Sequence, residues 1–140
     1  MKSLLFNVTA LMGFVFICFA WPKICRADWF LFAKTEKADL YYDKEDITHS
    51  SSGTANVWAK YVYTEAGIRD RVKRFGPKFE KLDHAITLLE FDCVGKLALS
   101  LSMVYFSKGK DVLEIQGPDN NWVYISTGSP FNTLYGEVCQ

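Results

Sequence analysis

From Leu97 onward the sequence alternates. Leu97, Leu99, Leu101, Met103 and Tyr105 fall on one side, and Ala98, Ser100, Ser102 and Val104 on the other. A period of two marks a half-buried strand, because successive side chains of an extended chain point to opposite faces. The second side carries mainly small side chains, so another element can lie close against it. Ser107-Lys108-Gly109-Lys110 then makes a turn, and Val112 to Gln116 returns as an antiparallel strand with Leu113 and Ile115 directed inward. A strand of this length needs neighbours, which commits the chain to a sheet.

The neighbours are legible upstream. Ile86 to Cys93 alternates with Thr87, Leu89, Phe91 and Cys93 on one side, and Asn56 to Thr64 is rich in β-branched and aromatic residues. Trp29 to Ala33, Leu40 to Tyr42 and Trp122 to Ile125 are shorter aromatic strands. They are separated by polar turns such as Thr48 to Gly53 and Gly117 to Asn121. Two helices interrupt this pattern. Glu65 to Phe75 places Ile68, Val72 and Phe75 on one stripe, with Thr64 as cap and Gly76-Pro77 as stop. Ser129-Pro130 opens a second helix with Phe131, Leu134, Tyr135 and Val138 as its stripe. The expected fold class is α+β: a single antiparallel β-sheet of about six strands with one inserted helix and a disulfide-tethered C-terminal helix.

The tether follows from the N-terminus. Lys2, the uncharged apolar run from Leu4 to Ala20, and the small residues Cys25 and Ala27 flanking Arg26 have the order of a secretory signal cleaved before Asp28. The run is followed by Pro22 and Lys23 and is shorter than the ~20 apolar residues of a membrane span, so cleavage is favoured over an anchor. Residues 1–27 are therefore expected to leave and residues 28–140 to form one domain. Ile17 before Cys18 and Ile24 before Cys25 do not fit a lipid-attachment site. The mature chain keeps 13 basic and 16 acidic residues, a net charge of −3 that names no partner.

Only Cys93 and Cys139 remain after cleavage. In an oxidising compartment they have one intramolecular connectivity, and a bond between them would contribute roughly 4 kcal/mol by restricting the unfolded chain. A metal or redox role is the competing reading, but neither a C-x-x-C motif nor a nearby histidine supports it.

No catalytic constellation stands out. His49 lies in a serine-rich turn and His84 at a strand start, neither at ligand spacing from another donor. Asp43-Lys44-Glu45-Asp46 lacks the spacing and glycine of a calcium loop and reads as a solvated turn. There is no G-x-S-x-G turn and no phosphate-cradling glycine loop. No catalytic, cofactor or metal site is expected, and a non-enzymatic role follows.

The one localised charge feature is Arg69, Arg71, Lys73, Arg74, Lys78 and Lys81, six of the mature basic residues within 13 positions. On a helix, Arg69, Lys73 and Arg74 project away from the apolar stripe and Arg71 flanks it, giving a candidate surface for an anionic glycan, lipid headgroup or acidic protein patch. An ordinary solvated helix face is the competing reading. Tyr41, Tyr42, Trp58, Tyr61, Tyr63, Trp122 and Tyr124 are too many to be fully buried in one small sheet, so some belong to the surface.

With these residues placed, the chain resembles the surface-adhesin protein E family. The landmarks are Trp29, Tyr42-Asp43, Trp58, Asp92-Cys93, Tyr105 before a hairpin turn, Trp122 to Ile125, Gly128-Ser129 and the terminal Val138-Cys139. The resemblance implies an exported bacterial protein with a C-terminal helix tied to an antiparallel sheet. It also implies adhesion to host matrix proteins and a capacity to dimerise. The expected function is protein or glycan binding without catalysis, in the periplasm, at the cell surface or secreted, with a homodimer among its partners and no nucleic acid. A periplasmic inhibitor or accessory protein of an envelope enzyme or assembly is the alternative.

Overall fold

The computed structural model describes residues 27–140. The expected signal segment, apart from its last residue, lies outside the described residues. The rest forms one antiparallel sheet with helices on one side. Six strands run in the order β1 (Trp29–Lys34), β2 (Ala38–Asp43), β4 (Thr54–Tyr63), β5 (Leu82–Asp92), β6 (Leu97–Ser107) and β7 (Val112–Gln116). Two short strands extend it to eight: β3 (Thr48–His49) pairs with β4 beside β2, and β8 (Val123–Tyr124) pairs with β6 beside β7. The six-strand expectation holds for the main path. The serine-rich turn contains one strand that polarity concealed.

Register decides which side chains face the core. On one face lie Leu40 and Tyr42 of β2, Val57, Ala59 and Tyr61 of β4, and Thr87, Leu89 and Phe91 of β5, all buried. Two helices cover this face. α1 (Glu65–Phe75) starts at Thr64, whose side chain accepts a hydrogen bond from the Gly67 amide, and ends at Gly76 with φ +97°. A positive φ of this size suits glycine, which has no Cβ to clash. A 3₁₀ turn over Pro77–Lys81 follows and buries Phe79. α2 (Pro130–Val138) is capped by Ser129 and buries Leu134 and Val138 against Val57, Ala59 and Phe91. Each such burial stabilises the fold by about 2 kcal/mol.

β6 departs from the simple alternation. Ser102 pairs with Leu88 and Ser100 with Leu89, so Leu101 is an extra residue with no partner on β5. A bulge of this kind reverses the faces of everything beyond it. Met103 and Tyr105 face the core as expected, but so do Ala98 and Ser100, while Leu97 and Leu99 lie on the opposite face. A second bulge, opposite Tyr105 and Phe106, acts on β7. Leu113 packs toward the core, but Ile115 pairs with Val104 on the outer face and is 70% exposed, contrary to the inward position expected for it.

Candidate functional site

The basic cluster is split by its own neighbours. Arg69 lies 3.8 Å from Glu65 and Arg74 3.3 Å from Asp70, both pairs one helical turn apart. Lys37 also reaches Asp70, at 3.1 Å, and its hydrogen bond holds the Asp70 carboxyl below its ordinary range. Lys78 pairs with Glu114 of β7, whose carboxyl is lowered mainly by that bond and further by Gln116. Lys73 and Lys81 are exposed, with no ion-pair partner among the described residues.

Arg71 is not a surface residue of this cluster. Its guanidinium stands 5.7 Å from the Tyr63 ring, 5.3 Å from Phe75 and 5.4 Å from Tyr105, and it is half-buried among them. Tyr63 and Tyr105 stack at 6.4 Å, and Phe79 meets Tyr105 edge-on at 5.3 Å. A cation over ring faces is attracted by their negative quadrupoles, so Arg71 fastens α1 to the sheet. Burial raises the Tyr63 phenol to about 12, against an opposing pull from Arg71. Its hydroxyl is buried, with no hydrogen-bond partner among the described residues.

Gly67 is the residue by which α1 approaches the β1–β2 turn. A side chain there would overlap the Lys37 carbonyl. That carbonyl also accepts the Thr64 amide at 3.0 Å, and Thr64 Oγ1 donates to the Glu36 carbonyl at 2.6 Å. One cap residue thus starts the helix and docks it.

At the other end of the sheet, Cys93 and Cys139 are bonded, with their Cα atoms 5.4 Å apart. Tyr42 donates to Glu137 at 3.2 Å, and His49 Nε2 lies 2.8 Å from the Val138 carbonyl. The histidine that read as part of a plain turn belongs to the seat of α2. Asp43 is buried and accepts the Glu45 amide at 3.0 Å, which accounts for the acidic run as a turn.

The face opposite the helices is the largest feature that the sequence reading did not resolve. By register it carries Leu31, Tyr41, Trp58, Leu88, Leu99 and Val104, with Ile115 and Tyr124 on the outer strands. Leu31 is 47% exposed and Tyr124 62%, and the inner members are half-buried by one another. Lys60 and Trp29 meet on this face at 5.9 Å. Both helices pack on the other side. Among the described residues no group of three or more His, Cys, Asp or Glu is placed to hold a metal ion, and no helix is long and apolar enough to cross a membrane.

No curated protein matches the sequence. A model of the surface-adhesin protein E family matches residues 29–140, the span from the first residue of β1 to the last residue of the chain. The arrangement expected from the resemblance is present, with the C-terminal helix bonded to the end of β5 through Cys93 and Cys139. The chain belongs to the surface-adhesin protein E family.

Proposed function

We propose that this chain is an exported, non-catalytic binding module that captures a protein partner on the helix-free face of its sheet. Family membership supports an adhesin-like role. The observation that carries the choice of surface is the one-sided coverage of the sheet, which leaves Leu31, Trp58, Leu88, Leu99, Val104 and Ile115 on a common apolar face. Contiguous exposed apolar surface of this kind marks interaction sites in soluble proteins. Trp58 near its middle has the size and rigidity of an interface anchor.

The test is capture of the mature protein by immobilised host matrix proteins. The double variant Leu31→Asp, Ile115→Asp alters two exposed outer-strand positions and should fold while losing capture. Retained capture would remove this face from the contact. Sedimentation of the same proteins decides whether a second copy occupies the face, and protease treatment of intact cells separates surface display from a periplasmic role.

The basic helix supports a second contact. Arg69, Lys73 and Lys81 point to solvent, and Lys73 and Lys81 carry uncompensated charge. An anionic glycan or acidic protein patch would meet them, and that contact would weaken as salt screens exposed charge over roughly 8–10 Å. Capture through the apolar face would be much less sensitive to salt.

A further inference from the structure

The core face of the sheet is buried as two separate clusters, one under α2 and one under α1 and its 3₁₀ turn. Beside the first of these, where β6, β8 and the start of α2 meet, lies a cavity of about 420 Å³. Its existence follows from the bulge at Leu101, which turns Ala98 and Ser100 inward where two leucines would otherwise fill the space. Leu89, Met103, Ile125 and Phe131 give the cavity apolar walls, and the loop between β7 and β8 supplies Asp119 at its exposed side. The Asp119 amide donates to the Ser100 carbonyl at 2.8 Å, which fixes the loop beside the cavity.

Tyr61 also lines the cavity and is only 9% exposed. A phenol in the wall of a mainly apolar cavity can fix a ligand's orientation through one hydrogen bond, so a ligand that pairs with it gains specificity as well as contact. Burial raises the Tyr61 phenol far above its ordinary value, and the Asp119 carboxylate adds to that rise. Arg71, the nearby cation, does not line the cavity and is held by three aromatic rings.

We propose that this cavity binds a small amphiphile with an amine head, its apolar body between Leu89, Met103, Ile125 and Phe131 and its N–H groups shared between the Tyr61 hydroxyl and the Asp119 carboxylate. An ammonium satisfies both acceptors, whereas a carboxylate head of the same chain meets Asp119 as a like charge. Leu99 and Tyr124 at the edge of the cavity also belong to the partner face, but Leu31 and Ile115, which carry the capture test, do not line it, so each reading can fail without the other.

The experiment titrates the mature protein with decylammonium and with decanoate, each below its micelle concentration, following the Met103 methyl signal by NMR. Saturable displacement of that signal by decylammonium, with decanoate about tenfold or more weaker, is expected. Asp119→Lys, an exposed loop substitution, should reverse the order of the two probes. Tyr61→Phe keeps the ring and should weaken decylammonium while leaving the melting temperature near that of the parent. Absence of a saturable shift with either probe overturns the site. Equal binding of the two, an order unchanged in Asp119→Lys, or Tyr61→Phe binding as the parent does, overturns the assigned head group.

Discussion

Tyr135 donates its hydroxyl hydrogen bond to the Cys93 carbonyl at 2.6 Å, so the residue that anchors the disulfide on the sheet also receives a side chain from the middle of α2. The helix is therefore held at two points of the same strand end. One attachment is covalent and closes 46 positions of chain, and the other is a single half-buried hydrogen bond.

Removing the covalent attachment should matter more. Cys139→Ser should lower stability by about 2–4 kcal/mol, and Tyr135→Phe by about 1 kcal/mol. Chemical denaturation measures both. Hydrogen exchange should locate the loss in the Cys139→Ser protein at the amides of α2, while α1 stays protected. Equal loss of protection in the two helices would contradict a local tether.

Gly67→Ala should destabilise the protein by about 1–3 kcal/mol, although alanine is the better helix former. The added methyl would meet the Lys37 carbonyl, a backbone atom already engaged by the Thr64 amide. Urea denaturation of this single variant measures the balance. An alanine protein as stable as the parent would mean that the β1–β2 turn yields freely.

Alkaline pH should unfold the domain through its buried phenols. Burial raises the ionisation of Tyr61, Tyr63 and Tyr105 above the ordinary value of 10.0, with Tyr63 at about 12. A group whose folded value is raised contributes stability that is complete below the unfolded value and is lost as pH rises through the folded one. Stability should thus decline from about pH 10 upward. Phenolate absorbance should show the buried cluster ionising only above the ordinary value of 10.0, together with the loss of structure. A single transition for all the tyrosines at ordinary pH values would refute the buried assignments.

Export should remove residues 1–27, leaving Asp28 as the first residue. Intact mass of the exported protein measures this directly. A retained Met1 or an added acyl mass is the contrary outcome.

The triple variant Arg69→Ser, Lys73→Ser, Arg74→Ser should leave the fold intact, since none of the three belongs to the Ile68 and Val72 stripe that packs on Phe79 and Leu82. If the basic helix contributes to capture, this variant should bind less at low salt and match the parent at high salt. Unchanged capture at both would confine the contact to the sheet.

Local chemistry made most elements legible. Thr64, Gly76-Pro77 and Ser129-Pro130 state the helix boundaries through capping and missing donors, and both helices begin and end where those residues place them. The alternation of Thr87, Leu89 and Phe91 likewise gives the buried face of β5. The bulges were not legible, because an extra residue in a strand is defined only by its partner's register. That is why plain alternation groups Leu97 and Leu99 with Met103 and Tyr105 and turns Ile115 inward, while the register separates them and turns Ile115 outward. Arg71 illustrates a related limit: its charge suggested solvent, while the rings that enclose it come from β4, β6 and its own helix. The basic patch was visible as composition, but its neutralisation by Asp70 and by Glu114, a residue of β7, depends on tertiary placement.

Leu101 works as a phase shift within one strand. Deleting it would straighten the ladder and leave Ser100 opposite Leu89 and Ala98 opposite Phe91, so both faces would survive. Drawing Leu101 into the ladder opposite Leu89 would instead turn Leu97 and Leu99 inward and Ala98 and Ser100 outward. Both faces of this domain thus depend on one residue staying out of step, and a one-residue insertion in β5 opposite Leu101 could remake its recognition properties where many substitutions would not.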